Sequence, residues 1–183
     1  FFAEGTMAGV FSLVSKIGII KKIYFPRIIV VFSSTLSSFI GLFFNLLVFI
    51  IFACFAGLAI SWHSLLFLPL IILLYIFVVG ISLLLTALYI KLRDINQVWE
   101  VLLQVGFWLT PIIYTLSLVP ANLHTLLFYN PMTGFIQYAR LLVIEHTLPS
   151  FIGVSYLVVV SIVTFILGYF VFQKLEPIAA QEL

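Results

Sequence analysis

Gln97, Glu100, Gln104 and Trp108 follow one another at steps of three, four and four residues. That spacing places all four on one helical face, and Pro111 continues roughly the same line. The residues between them are mostly apolar, Val98, Val101, Leu102, Leu103 and Val105 among them. Polar groups at membrane depth are costly, so such a face meets protein or a wet cavity rather than lipid. Its chemistry is hydrogen bonding and charge, which suits lining a path for a polar solute. It equally suits holding helices together through interhelical hydrogen bonds worth ~0.6 kcal/mol each on average. A dimer seam beside a channel satisfies both readings.

Catalytic groups are scarce by comparison. The histidines, His63, His124 and His146, lack the i, i+4 spacing of a helical metal pair. Cys54 is the single cysteine, which excludes an intrachain disulfide and a cysteine-based metal cluster. No Gly-Lys dipeptide occurs, so the chain has no Walker A loop, and neither HExxH nor a nucleophile elbow is present. The chain is therefore expected to be no enzyme, and to need no metal or cofactor of its own. Arg93-Asp94 reads as an exposed ion pair worth at most ~1 kcal/mol. Arg140 could pair with Glu145, cap helix carbonyls or meet an anionic substrate.

The elements that must position these residues follow from hydropathy. From Ile28 to Ile90 no Asp, Glu, Lys or Arg occurs, a run of 63 residues. A helix needs ~20 apolar residues to cross the hydrocarbon core, so this run is two crossings and a turn. Composition agrees: 64% of residues are hydrophobic, 8% charged, and the mean hydropathy is +1.34. The expected fold is an all-α, polytopic transmembrane helical bundle forming a single domain, residues 1–183. Spans are expected at 28–56, 65–90, 98–118 and 151–172, with a tail at 173–183. The chain starts at Phe1 without Met, inside the apolar run Phe1–Val14 that only Glu4 interrupts. Residues 1–14 thus read as the end of a preceding span. Gly5 and Gly9, and separately Ser37, Gly41 and Asn45, offer small-residue packing seams.

Charge sets the direction. Seven of the eight basic residues, Lys16, Lys21, Lys22, Arg27, Lys91, Arg93 and Lys174, flank spans on one side, leaving only Arg140 elsewhere. The positive-inside rule assigns that side to the cytoplasm. Residues 119–150 lie outside, and are too long for a turn and too apolar for a solvated loop. Pro120, Pro131 and Pro149 punctuate them, with Asn130-Pro131 as a turn between Leu123–Tyr129 and Phe135–Ile144. Each of these segments is too short to span, which predicts a re-entrant outer helical hairpin. On the cytoplasmic side, residues 15–27 alternate cationic and apolar positions. They read as a helix docking in a partner's groove or as an anchor to anionic headgroups. Tyr24-Phe25-Pro26-Arg27 favours docking, because an anchor needs neither an aromatic pair nor a proline.

Four short motifs in this order resemble those of the ABC-2 type permeases that export polysaccharides. They are Ile20-Lys21-Lys22-Ile23-Tyr24-Phe25-Pro26-Arg27, Leu92-Arg93-Asp94-Ile95-Asn96-Gln97, Leu109-Thr110-Pro111-Ile112-Ile113-Tyr114 and Tyr129-Asn130-Pro131-Met132. Arg140 follows the last at nine residues from Pro131. The family's amino-terminal helix and first span have no counterpart here. The resemblance implies the membrane subunit of an ABC exporter for a lipid-linked glycan such as O-antigen, capsule or teichoic acid. It implies a homodimer in contact with membrane lipids, each copy docked to a separate ATPase subunit that holds the ATP and magnesium. Lys16, Lys21, Lys22, Tyr24, Phe25, Pro26 and Arg27 would form the coupling segment. Gln97, Glu100, Gln104 and Trp108 would face the dimer seam or the substrate path. Pro111, Tyr114, Asn130, Pro131 and Arg140 would belong to the outer gate. An ABC-2 exporter of drugs or small lipids shares this architecture, and a membrane-embedded glycan-processing enzyme is the alternative of another class.

Overall fold

The structure, a computed structural model, describes residues 1–15, 26–57, 62–114 and 116–182. Those residues form α1 (Phe2–Ser15), α2 (Ile28–Phe55), α3 (Phe67–Lys91), α4 (Ile95–Leu109), α5 (Ala121–Phe128), α6 (Pro131–Arg140) and α7 (Phe151–Glu182). A 3-10 turn, Trp62–Leu66, leads into α3, and another covers Leu116–Leu118. A π-turn, Leu141–Glu145, closes α6 and ends at His146 in the left-handed region, φ 52°. No strand occurs among the described residues.

Among the described residues, three stretches are long and apolar enough to cross a membrane: Ile28–Phe55, Trp62–Tyr89 and Phe151–Leu175. The chain is thus an all-α, multi-pass membrane bundle. Large apolar side chains such as Phe44, Phe52, Ile72 and Phe170 lie more than half exposed on its outside. In hydrocarbon such exposure carries no penalty, and packing has to be won by close fit instead.

The centre of the bundle is α3, which packs against α1, α2, α4, α6 and α7. Its crossing with α7 is backbone on backbone. A Cβ at Gly80 would lie 2.6 Å from the Phe165 amide nitrogen, and Gly168 meets the Gly80 carbonyl directly. Glycine at both positions brings the axes to a separation that any side chain would forbid. Val79, Leu83, Ala87 and Phe172 bury their side chains around this crossing together with Val30 and Val31 of α2.

Gly5 and Gly9 make the expected seam, with α3 as partner. A Cβ at Gly5 would lie 2.8 Å from Val78, and the Thr86 hydroxyl donates to the Gly9 carbonyl at 2.8 Å. The stripe Ser37, Gly41, Asn45 behaves otherwise. Ser37 and Asn45 are exposed, whereas Val31, Thr35 and Ser38 are the residues α2 turns inward. One residue is about 100° of helical rotation, enough to move the seam from Ser37 to Ser38.

Candidate functional site

The polar stripe lies on α4, which is 15 residues long. At 1.5 Å per residue this is about 22 Å, short of the ~30 Å hydrocarbon thickness. The span expected to run from 98 to 118 therefore stops at Leu109, and the cause is Pro111. The residue before a proline is driven out of the helical region, and Thr110 sits at φ −96°, ψ 131°.

Such a break leaves carbonyls without helical partners, which in a membrane must be satisfied by protein. The Thr110 hydroxyl donates to Gly106 O at 2.7 Å. Tyr114 Oη lies 3.4 Å from both Trp108 O and Leu109 O, and Ile112 N–H donates to Thr110 O at 2.7 Å. The Gln137 side chain donates from Nε2 to Pro111 O at 3.3 Å. Thr110 and Gln137 are both buried, at 4% and 8% exposure.

Gln137 belongs to α6, and a second link comes from the turn ahead of it. Asn130 Oδ1 accepts from the Met132 amide at 3.1 Å, capping α6, with Pro131 in the first turn where its missing N–H costs nothing. The same side chain donates from Nδ2 to Thr110 Oγ1 at 3.0 Å. One asparagine thus starts α6 and ties it to the end of α4. His124 Nε2 lies 2.9 Å from both Leu116 O and Val119 O. Since both are acceptors, Nε2 carries the proton. Tyr156 of α7 donates to Tyr129 O at 2.7 Å. Helix α6 is embedded through Thr133, Gly134, Phe135, Gln137 and Tyr138, its Phe135 ring 5.9 Å from Phe77 of α3.

Gln97, Glu100, Gln104 and Trp108 are all exposed. The opposite edge of α4, Asn96, Trp99, Leu103 and Gly106, is the half-buried one. It is pinned by Trp99 Nε1 donating to Thr6 Oγ1 of α1 at 2.9 Å. The stripe therefore points away from the bundle of its own chain. Pro111 is buried beneath the hairpin, Tyr114 and Asn130 are half-buried, and Arg140 is half-buried at the end of α6. Glu145 is exposed, and no ion pair joins it to Arg140. Among the residues expected to form a coupling segment, Lys16, Lys21, Lys22, Tyr24 and Phe25 lie outside the described residues. Pro26 and Arg27 open α2, their carbonyls accepting from the Ile29 and Val30 amides. Among the described residues no three His, Cys, Asp or Glu side chains converge.

Sequence reading picked out the stripe and the Asn130-Pro131 turn. It missed Trp99, Thr6, Gln137 and Tyr156. Trp99 carried one legible signal, its position on the helical face opposite Gln97 and Gln104.

The profile of the ABC-2 type transporter family matches residues 1–144. Among curated proteins, the O-antigen export system permease protein RfbA of Klebsiella pneumoniae is 27% identical over 177 residues, 96% of this chain and 68% of that protein. The protein of the same name from Myxococcus xanthus is 24% identical over 166 residues, 89% of this chain and 64% of the relative. With most of its length matched by the family profile and with membrane-spanning helices of the expected kind, the chain belongs to the ABC-2 type transporter family.

Proposed function

We propose that this chain is the permease subunit of an ATP-binding-cassette exporter that moves a lipid-linked polysaccharide out across the bacterial inner membrane. The observation that carries this reading is family membership joined to likeness over 96% of the chain to O-antigen export permeases. Capsule and teichoic-acid polymers present the same transport problem and belong to the same substrate class. A charged headgroup and hydrated sugars cannot enter hydrocarbon without a polar path. The outward stripe Gln97, Glu100, Gln104 and Trp108 offers one side of such a path, and a second copy supplies the other. ATP binding and hydrolysis belong to a separate subunit, reached through Lys16 to Arg27. Closure of that subunit pushes the coupling segments and opens the seam between the paired permeases. The broken end of α4 and the helices α5 and α6 form the outer gate, re-entering from the outer surface.

Purifying the tagged full-length protein from its native membrane in mild detergent tests this. A co-purifying subunit with a Walker A motif is expected, and neutralising Lys21, Lys22 and Arg27 together should release it. A permease that emerges alone even after crosslinking would refute the exporter reading. Loss of the gene should leave the glycan on the cytoplasmic face, which separates a glycan exporter from one for drugs or small lipids.

A further inference from the structure

Away from the α4 stripe, the hairpin and the start of α7 enclose a cleft of about 440 Å³, within the ~300–1,000 Å³ range of small-molecule sites. Phe128 and Tyr129 at the end of α5, Tyr138 of α6, and Ser150, Tyr156 and Leu157 line it, and none of its lining residues is charged. Two hydroxyls meet there over Gly153. A Cβ on Gly153 would overlap the Tyr138 hydroxyl and lie 2.9 Å from Ser150 Oγ. Tyr156 has committed its hydroxyl to Tyr129 O, while Ser150 Oγ accepts from the Gly153 amide at 3.3 Å and keeps its own proton. Tyr138 is only 7% exposed, yet its hydroxyl has no hydrogen-bond partner among the described residues. A buried polar group in that condition calls for a ligand that pairs with it.

Depth narrows the choice of ligand. The crossing Phe151–Leu175 has 25 residues, about 37 Å at 1.5 Å per residue, so it overshoots a ~30 Å core by roughly 4 Å at each end. Gly153 is two residues, about 3 Å, inside the end opposite Lys174, which is the outer end by the charge rule. The Tyr138 hydroxyl is therefore at the outer hydrocarbon boundary, where the ester carbonyls of glycerophospholipids sit beneath their headgroups. From the cleft inward, Ile152, Tyr156, Val159, Val163 and Ile166 follow steps of four, three, four and three along α7, all exposed. They share one helical face and form a largely apolar track down the membrane. An ester carbonyl only accepts, which matches two hydroxyl donors, whereas a phosphate or an ammonium would want an opposite charge that the cleft lacks. We propose that this cleft holds an acyl ester of an outer-leaflet glycerophospholipid, its carbonyl accepting from Tyr138 and Ser150 and its chain lying along α7. The inference goes beyond the glycan reading and does not rest on it. A lipid seated there joins the hairpin helices α5 and α6 to the crossing helix α7.

The test uses the full transporter with its ATPase subunit. A photoactivatable benzophenone side chain in place of Ile152, which is exposed at the mouth of the cleft, should crosslink to glycerophospholipid in native membranes. Crosslinking only to a second copy of the permease, or only to a glycan-carrying lipid, overturns the assignment. Native mass spectrometry of the purified complex, given equal amounts of ester-linked and ether-linked phosphatidylethanolamine of the same chain length, then reads the carbonyl. The ester form should be retained about threefold over the ether form, the factor that one membrane hydrogen bond supplies. Tyr138→Phe keeps the ring and should abolish that preference. Equal retention of the two lipids by the unsubstituted complex, or a preference that Tyr138→Phe leaves unchanged, overturns the contact between hydroxyl and ester.

Discussion

Asn130 performs two separable tasks, and its substitutions should divide them. Its Oδ1 caps α6 by accepting from Met132 N–H, while its Nδ2 reaches Thr110 at the broken end of α4. Serine caps a helix about as well as asparagine but is one bond too short to bridge to Thr110. Asn130→Ser should therefore lose only the bridge, a membrane hydrogen bond worth ~0.6 kcal/mol on average and at most ~1.7 kcal/mol. Asn130→Ala loses the cap as well, a further ~1 kcal/mol. The Thr110 hydroxyl keeps its own acceptor, Gly106 O, so no orphaned donor inflates the cost. Unfolding in mixed micelles, titrated with SDS and followed by far-UV circular dichroism, gives both differences. Thr110→Val closes a double-mutant cycle in which its lost bond to Gly106 cancels. The expected coupling between positions 110 and 130 is about 0.6 kcal/mol. A coupling of zero, or Asn130→Ser as costly as Asn130→Ala, would refute the claim that this side chain joins α4 to α6.

Further outcomes follow from the packing. Gly80→Ala forces a methyl against the Phe165 backbone and should cost about 1–3 kcal/mol in the same titration. Gly106→Ala meets nothing within 4 Å and should be stabilising by up to ~1 kcal/mol through helix propensity. Trp99→Phe keeps a ring beside Phe2, 6.1 Å away, but removes the donor to Thr6, for an expected loss of ~0.6 kcal/mol. Trp99→Phe in a Thr6→Val background should cost nothing further.

Much of the fold was legible because hydropathy and charge act locally. A charge-free run of 63 residues admits few readings, and the length of Ile28–Phe55 or Phe151–Leu175 follows from bilayer thickness. Rotational setting was harder. Ser37 and Ser38 are equally small, and only the partner, Gly5 of α1, decides which one turns inward. The end of α4 was written in Pro111, but an apolar run up to Leu118 outweighed it in the expected span. At the candidate site, spacing revealed the stripe, because periodicity is a property of one helix. The ties that hold the site are not periodic: Trp99 reaches back 93 residues to Thr6, and Gln137 reaches 26 to Pro111. Pairings of that kind appear only once the helices are laid against each other.

The glycine crossing gives the bundle a mechanical asymmetry. With Gly80 and Gly168 backbone to backbone, α3 and α7 form a keyed joint. Sliding one past the other by a turn would drive Leu83 or Phe165 into the notch that only a hydrogen atom fills. Helix α4 has no such key; it meets α3 far more sparsely than α7 does, leans on α1 through one tryptophan, and is tied at its end by the amide side chains of Asn130 and Gln137. A load on the bundle is therefore expected to leave α3 and α7 in register, as a stiff mast, and to shift α4 first, as a compliant boom.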